Sequence, residues 1–476
     1  MAGRAKLALR PQESRTSWPW HEARVGSIPS AALSHGDRRM EAETYLSSGY
    51  GIRLAIEAKS GWKRFGLSNR VWMPSRLKGI QVGPEFGTPF LAATQVFDIR
   101  PVPRKWLALE QTADAEHRFV LPGAILVTCS GTVGRTTLAY SAHEKTLITH
   151  DLLRVEPIDP RMRGWIYAYL LSSQARAMLA GSHYGHIIKH LEEDHLRILP
   201  VPPVSASDAK QFNHDFAEIH RLRDLAFSLA DAADQRFAAA IGSIPERQKE
   251  SGFVVDVSAL ASKRRRLDST FYHPVAAALL QKFVNNEKVS TLCHRVWWMP
   301  RFKRFYGDAG IPYLSADELF TIDGAVSKRI LVDPDDDHDQ YFVKPGWIIM
   351  ACSGQVYGLI GAAMLATPAH AGCFFSHDFI RMEVDVSKVR PGYLLVALTH
   401  RTLGRPLVIR LAYGTSIPHL DPGDVADIPI VRLGDHEEGA IADLAEQAAE
   451  ARSKAEIIEH NMGVEATRLI DAFIET

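Results

Sequence analysis

Cysteine, histidine and aspartate recur together in this chain in a pattern that could support nucleophilic chemistry. Cys129 is followed by His150-Asp151, and Cys352 by His377-Asp378. A thiol beside an imidazole that an aspartate orients is what a cysteine hydrolase needs. Both cysteines, however, sit at the ends of apolar runs that read as buried strands, with nothing nearby to activate a thiol. A hydrogen-bonded structural role is the simpler reading. His183, His186, His190 and His195 crowd like metal ligands, but only His190 has a counterpart, His419. A metal site needs three or four ligands held together. The acidic stretch Asp333, Asp335, Asp336, Asp337, Asp339 invites magnesium, yet no Glu-x-Lys follows as a nuclease would require, so it reads as a solvated loop. Gly131-Thr-Val-Gly-Arg135 could cradle a phosphate, but it lacks the Lys-Ser/Thr of a P-loop and the GxGxxG spacing. A tight turn fits it better. With no Walker A, no amino-methyltransferase motif and no nuclease triad, the chain is expected to catalyse nothing alone.

The basic-aromatic stretches offer binding rather than catalysis. Arg70-Val-Trp-Met-Pro-Ser-Arg76-Leu-Lys78 is mirrored by Arg295-Val-Trp-Trp-Met-Pro-Arg301-Phe-Lys303-Arg304-Phe-Tyr306. Such cations can neutralise phosphates or make bidentate contacts to guanine, while the aromatics supply rigidity. The candidate DNA contacts are therefore Arg70, Arg76, Lys78, Arg135, Arg295, Arg301, Lys303 and Arg304. A solvated strand edge around a core tryptophan is the competing view.

These stretches belong to a duplication. Phe119-Val-Leu-Pro-Gly-Ala-Ile-Leu-Val-Thr-Cys-Ser-Gly131 returns 223 positions later as Phe342-Val-Lys-Pro-Gly-Trp-Ile-Ile-Met-Ala-Cys-Ser-Gly354. Arg70-Val71-Trp72 returns as Arg295-Val296-Trp297, and Tyr184-Gly185 as Tyr413-Gly414. An offset this long excludes a solenoid and indicates a duplicated domain. The chain has 476 residues, too many for one core. Its formal charge is zero, so any nucleic-acid contact must rest on local patches. Only four cysteines occur, with no CxxC spacing, which argues against a disulfide framework and for a reducing compartment. No apolar run is long enough for a membrane span, and a cytoplasmic location is expected.

Six segments follow. Residues 1–40 form an Arg-rich extension expected to be disordered. Residues 41–205 form a first mixed domain closing in Leu199-Pro-Val-Pro-Pro203, and 206–245 a long helix capped near Ser207-Asp208. Residues 246–264 are a linker with a basic run at its end, 265–435 the second domain, and 436–476 a second long helix. Ile219, Leu222 and Leu229 mark the seam of the first helix, and Ile441, Leu444 and Ile458 that of the second. Their 3-4 spacing is that of a coiled coil, so the two helices are expected to pair. The fold class is α+β.

With these features assembled, the chain resembles the specificity subunit of type I restriction–modification enzymes. The resemblance rests on Pro122-Gly-x5-Cys-Ser-Gly-Thr-Val-Gly-Arg135, on Thr149-His-Asp151 and Ser376-His-Asp378, and on Tyr413-Gly-Thr-Ser-Ile-Pro-His-Leu420. Each domain also ends in Ile/Leu-Pro-Val/Ile before a long helix. The resemblance implies two target-recognition domains, each reading half of a split, asymmetric site on double-stranded DNA. It implies an antiparallel helix pair as the spacer between them. It implies as partners two methyltransferase subunits using S-adenosylmethionine, and a restriction/translocase subunit using ATP and magnesium, with no cofactor in this chain. The alternatives are the duplicated cysteine hydrolase and a tandem-domain scaffold of another phage-defence complex.

Overall fold

The computed structural model describes all residues except 1–43, 46, 183–189, 243, 245–251, 262–264, 323–327, 333–337 and 357. The expected extension, the Tyr184-Gly185 repeat, His183, His186 and most of the acidic stretch lie outside the described residues.

The duplication is built in three dimensions. In the first domain, β1 (Asn69–Trp72), β2 (Ile125–Thr128), β3 (Thr136–Leu138) and β4 (Leu152–Pro157) form an antiparallel sheet in the order β1-β4-β2-β3. In the second, β5 (Cys293–Trp298), β6 (Ile348–Ala351), β7 (Ala363–Leu365) and β8 (Phe379–Val384) take the same order, β5-β8-β6-β7. Of the central strands, β2 and β6 are nearly continuous apolar runs because both faces are covered, and every residue in them is buried. Each of these two strands is entered by the repeated Pro-Gly turn. The amide of Ala124 bonds the carbonyl of Leu121 at 3.0 Å, and Trp347 bonds Lys344 at 3.2 Å. Gly123 (φ +80°) and Gly346 (φ +88°) occupy the position that demands a positive φ.

The two copies fall out of register after Gly131 and Gly354. The amide of Gly134 bonds Thr128 O at 2.9 Å, and the amide holding the matching place on Ala351 O, at 2.9 Å, is that of Gly361. Arg135 therefore matches Ala362. The second turn is longer, which moves the offset from 223 to the 227 seen at His150/His377.

After each sheet comes a buried helix, α1 (Arg163–Leu171) in the first domain. The long helix α2 (Ala206–Ile241) follows, with Ser205 Oγ accepting from the amide of Asp208 at 3.1 Å and Gly242 at its end. The second domain has α3 (Pro391–Thr399), and α4 (Asp435–Glu475) closes the chain. Equivalent glycines, Gly164 of α1 and Gly392 of α3, let these helices touch the long ones backbone to backbone. A Cβ on Gly164 would stand 2.2 Å from Phe212 C, and one on Gly392 2.6 Å from Ala442 O.

The long helices run antiparallel, since Arg223 meets Glu459 while the later Arg236 meets the earlier Glu437. They are not a bare rod. Phe212, Phe216, Ile219 and Leu222 of α2 join Ala451, Ala455, Met462 and Ile470 of α4 in the core of the first domain. Ala233 and Phe237 join Ile441, Ala442, Ala445 and Ala449 in the core of the second. Each domain thus shares its core with opposite ends of the pair. Of the expected seam, Ile219, Leu222 and Ile441 are buried, and Leu229, Leu444 and Ile458 half-buried. Within the described residues no helix is long and apolar enough to cross a membrane.

Candidate nucleic-acid interface

The repeated His-Asp turn is where the two copies agree most closely. Thr149 Oγ1 donates to Asp151 Oδ2 at 2.8 Å, and Ser376 Oγ to Asp378 Oδ2 at 2.9 Å. The amide of Cys129 bonds the Asp151 carbonyl and that of Cys352 the Asp378 carbonyl, both at 3.1 Å. His190 and His419 close the frame through bridges to Ser130 and Ser353.

Beneath each turn lies an arginine that sequence reasoning missed. Arg154 donates to the carbonyls of Thr149 (3.1 Å), Ile148 (3.2 Å) and Leu152, and Arg381 to those of Ser376 (3.3 Å), Phe375 (3.4 Å) and Phe379 (3.3 Å). Both are almost wholly buried, and burial pushes each guanidinium down to about 10. Their shared offset of 227 was the available signal. The same offset marks His143 and His370, buried beside each domain's contact with the long helices. Each accepts an amide on Nδ1, from Tyr140 at 3.1 Å and from Thr367 at 3.0 Å, and burial lowers them to about 4 and about 3.

The surroundings of the two cysteines disfavour a thiolate. Burial, reinforced by the neighbouring aspartate, pushes Cys129 and Cys352 up to about 12. The Cys129 thiol donates to the main-chain carbonyl of His150 at 3.6 Å, not to its imidazole. Burial likewise lowers His150 and His377 despite the adjacent aspartates, which favours the neutral ring at pH 7. Among the described residues no three potential ligands converge on a metal position.

The basic segments leave each sheet from equivalent edge strands, β1 and β5. Arg70 is exposed and faces Glu156 across the strand pair at 3.8 Å. The segment then turns under control of buried Arg118, which donates to the carbonyls of Ser75 and Ala113 at 2.8 Å. Arg76 and Lys78 emerge exposed. Arg70, Trp72, Ser75, Asp114, His117 and Glu156 line an open concavity of about 540 Å³. In the second domain Arg295 is exposed and lies over the Trp297 ring at 4.5 Å, with Trp297 packed edge-on to Trp347. Arg301 and Lys303 are exposed. Phe302 between them is an anchor, packed against Tyr313, Tyr341 and Phe374.

Two candidates are held by the protein itself. Arg304 contacts Asp378 at 3.2 Å and His377 Nδ1 at 3.3 Å, tying the basic segment to the repeated turn. Arg135 is half-buried, stacked over Phe97 at 4.4 Å and donating to Thr321 Oγ1 of the other domain at 3.2 Å.

No protein-family model matches the chain, and no curated relative does either. Among solved structures it is similar to the type I restriction–modification S subunit from M. genitalium, at 13% identity and TM-score 0.33, covering 87% of this chain and 95% of that one. It is similar to the HsdS subunit from Thermoanaerobacter tengcongensis at 14% identity and TM-score 0.25, with 87% and 95% covered. A chain from a structure on complex assembly and conformational transition of the type I R-M system aligns at 13% identity and TM-score 0.26, with 87% and 96% covered.

Proposed function

We propose that the chain is the non-catalytic DNA-specificity subunit of a type I-like restriction–modification complex. The reading rests on one observation above all. A single sheet is built twice at opposite ends of an antiparallel helix pair, and each copy sends a basic segment from the same edge strand.

Exposed Arg70, Arg76 and Lys78 on one domain, and Arg295, Arg301 and Lys303 on the other, suit phosphates, which position a protein on a duplex without reading sequence. The concavity beside β1 mixes donors (Arg70, His117) with acceptors (Glu156, Asp114), the complement of base edges in the major groove. The two segments differ beyond their framework, so the half-sites differ and the site is asymmetric. A helix of 36 residues is about 54 Å long, against about 34–36 Å between successive faces of the same groove. Two domains at its ends can therefore address one duplex a turn or more apart. The partners are two methyltransferase subunits that carry S-adenosylmethionine. Where the system also cleaves, a restriction/translocase subunit using ATP and magnesium joins them.

The test is to purify the chain from its host with whatever accompanies it, and to map adenine methylation genome-wide with and without its gene. A methyltransferase should co-purify, and methylation at a split motif with a fixed gap should vanish on deletion. Unchanged methylation with no methyltransferase bound would refute the proposal.

A further inference from the structure

The two sheet domains also touch each other directly, through segments that are copies of one another. Ala93-Thr-Gln-Val-Phe-Asp-Ile99 and Ala316-Asp-Glu-Leu-Phe-Thr-Ile322 lie 223 positions apart. Each folds as one helical turn, Ala93–Val96 and Ala316–Leu319. Each turn is closed by an amide bonding a side chain three residues on, Ala92 N to Gln95 Oε1 at 3.1 Å and Ser315 N to Glu318 Oε2 at 3.2 Å.

The ends of these turns pair as an antiparallel bridge centred on Asp98 and Thr321. The amide of Ile99 donates to the Phe320 carbonyl at 3.0 Å, and that of Ile322 to the Phe97 carbonyl at 2.6 Å. These two bonds are each other's equivalents, so a local two-fold axis passes between Asp98 and Thr321. Such a contact is self-complementary, the kind that joins two-fold oligomers. The isoleucines cross over. Ile322 of the second domain is 5% exposed within the core of the first, and Ile99 of the first packs against the core of the second. Arg135 breaks the symmetry with its bond to Thr321, because Ala362 occupies its place in the other copy.

We propose that this clasp is a second ruler, which fixes the separation and angle of the two DNA-reading faces in parallel with the helix pair. Domains held only at the ends of two helices can still move as the helices bend. The clasp closes a ring of first domain, helix pair, second domain and bridge, and a closed ring has no free hinge. The role in DNA spacing rests on the function proposed above; the mechanical lock does not.

Asp98 and Thr321 form a non-hydrogen-bonded antiparallel pair, for which Cα atoms lie about 4.5 Å apart, inside the range of about 4.4–6.8 Å that a disulfide spans. An Asp98→Cys/Thr321→Cys protein should therefore oxidise to an intramolecular disulfide, the four native cysteines being buried. Asp98→Arg should open the clasp, because Arg104 and Arg135 already act on that carboxylate. Spin labels at Ile158→Cys and Val386→Cys, exposed at 63% and 72%, report the distance between domains. Their distance distribution should shift and broaden in the Asp98→Arg background. On a library of split DNA sites, the cross-linked protein should keep the native gap. The Asp98→Arg protein should lose its discrimination against gaps one base pair, about 3.4 Å, longer or shorter.

Failure of the disulfide to form, or label distances unmoved by Asp98→Arg, would overturn the lock. An opened clasp with the gap preference intact would overturn the ruler. Disulfide formation and moved labels in a chain that selects no split DNA would leave the lock standing and remove the specificity reading beneath it.

Discussion

Replacing Glu459 by leucine should loosen the helix pair far more than a surface substitution would. Its carboxylate accepts both Arg223 Nη2 contacts, at 2.8 and 2.7 Å, and the Tyr167 hydroxyl, while Arg223 Nη1 donates to Thr137 Oγ1 at 3.1 Å. Arg223 is 5% exposed and Glu459 1%. Without the carboxylate, a buried guanidinium loses its bidentate ionic partner and is left with the neutral hydroxyls of Thr137 and Tyr167 in direct contact. Breaking a buried pair in this way costs about 3–5 kcal/mol. Replacing both partners, as Arg223→Met/Glu459→Leu, removes the uncompensated charge and should restore most of that stability. Hydrogen exchange of the α2 and α4 amides measures the local opening free energy directly. At about 1.4 kcal/mol per factor of ten, Glu459→Leu should speed exchange by about 10²–10⁴-fold, and the double variant by far less. Acceleration below about tenfold in the single variant, or a double variant as labile as the single, would refute this account of the pair.

Three further outcomes are expected. Neutralising Arg301 and Lys303 together should weaken DNA binding and flatten its salt dependence by about 0.9 log unit per lost phosphate contact, measured by titration at several salt concentrations; an unchanged slope would return these residues to solvated surface. His143 and His370, held near 4 and 3 in the folded chain, take up protons more readily when unfolded, where histidine titrates near 6.5. Their contribution is therefore complete above about pH 6.5 and is lost as pH falls toward about 4 and 3, at roughly 3 kcal/mol for His143 and roughly 5 kcal/mol for His370; His143→Gln/His370→Gln should move the acid-unfolding midpoint to lower pH, and a midpoint unmoved would assign acid sensitivity elsewhere. Cys129→Ala/Cys352→Ala should leave sequence-specific DNA binding intact, whereas loss of a hydrolytic activity would favour the thiol-enzyme reading.

The duplication was legible because its framework is carried by residues whose types are dictated locally. Pro-Gly must occupy a turn with positive φ, and an all-apolar strand must be central. The first long helix was legible by an uninterrupted run ending at Gly242, and the second by the spacing of its apolar seam. Arg223 and Glu459 were not, because a charged residue on a helix reads as solvated until its partner, 236 positions away, is placed against it. Near the end of α4 the buried residues are Ala466 and Ile470, beside a charged Glu465 that lies off the seam. Arg154 and Arg381 read as polar interruptions of strands, and only their carbonyl partners reveal them as supports of the His-Asp turns. The clasp is shared between copies, so no pattern within either copy announces it. Arg135 was singled out for its charge; its place over Phe97 depends on that contact.

The division of the helix pair between two cores also decides how such a chain can be inherited in pieces. A recombination that cut at Pro203 would bring in a sheet domain without Phe212, Phe216, Ile219 and Leu222, the α2 residues its core closes upon. It would equally lack Ala451, Ala455 and Met462, which arrive from the far end of the chain. The unit that travels intact is therefore discontinuous in sequence, running through Leu222 and resuming near Ala451. A half acquired by simple crossover functions only if the recipient's helices offer the same small residues at those places. The alanines of α4 then act as a compatibility standard between lineages, one that leaves the outward-facing segments free to diverge.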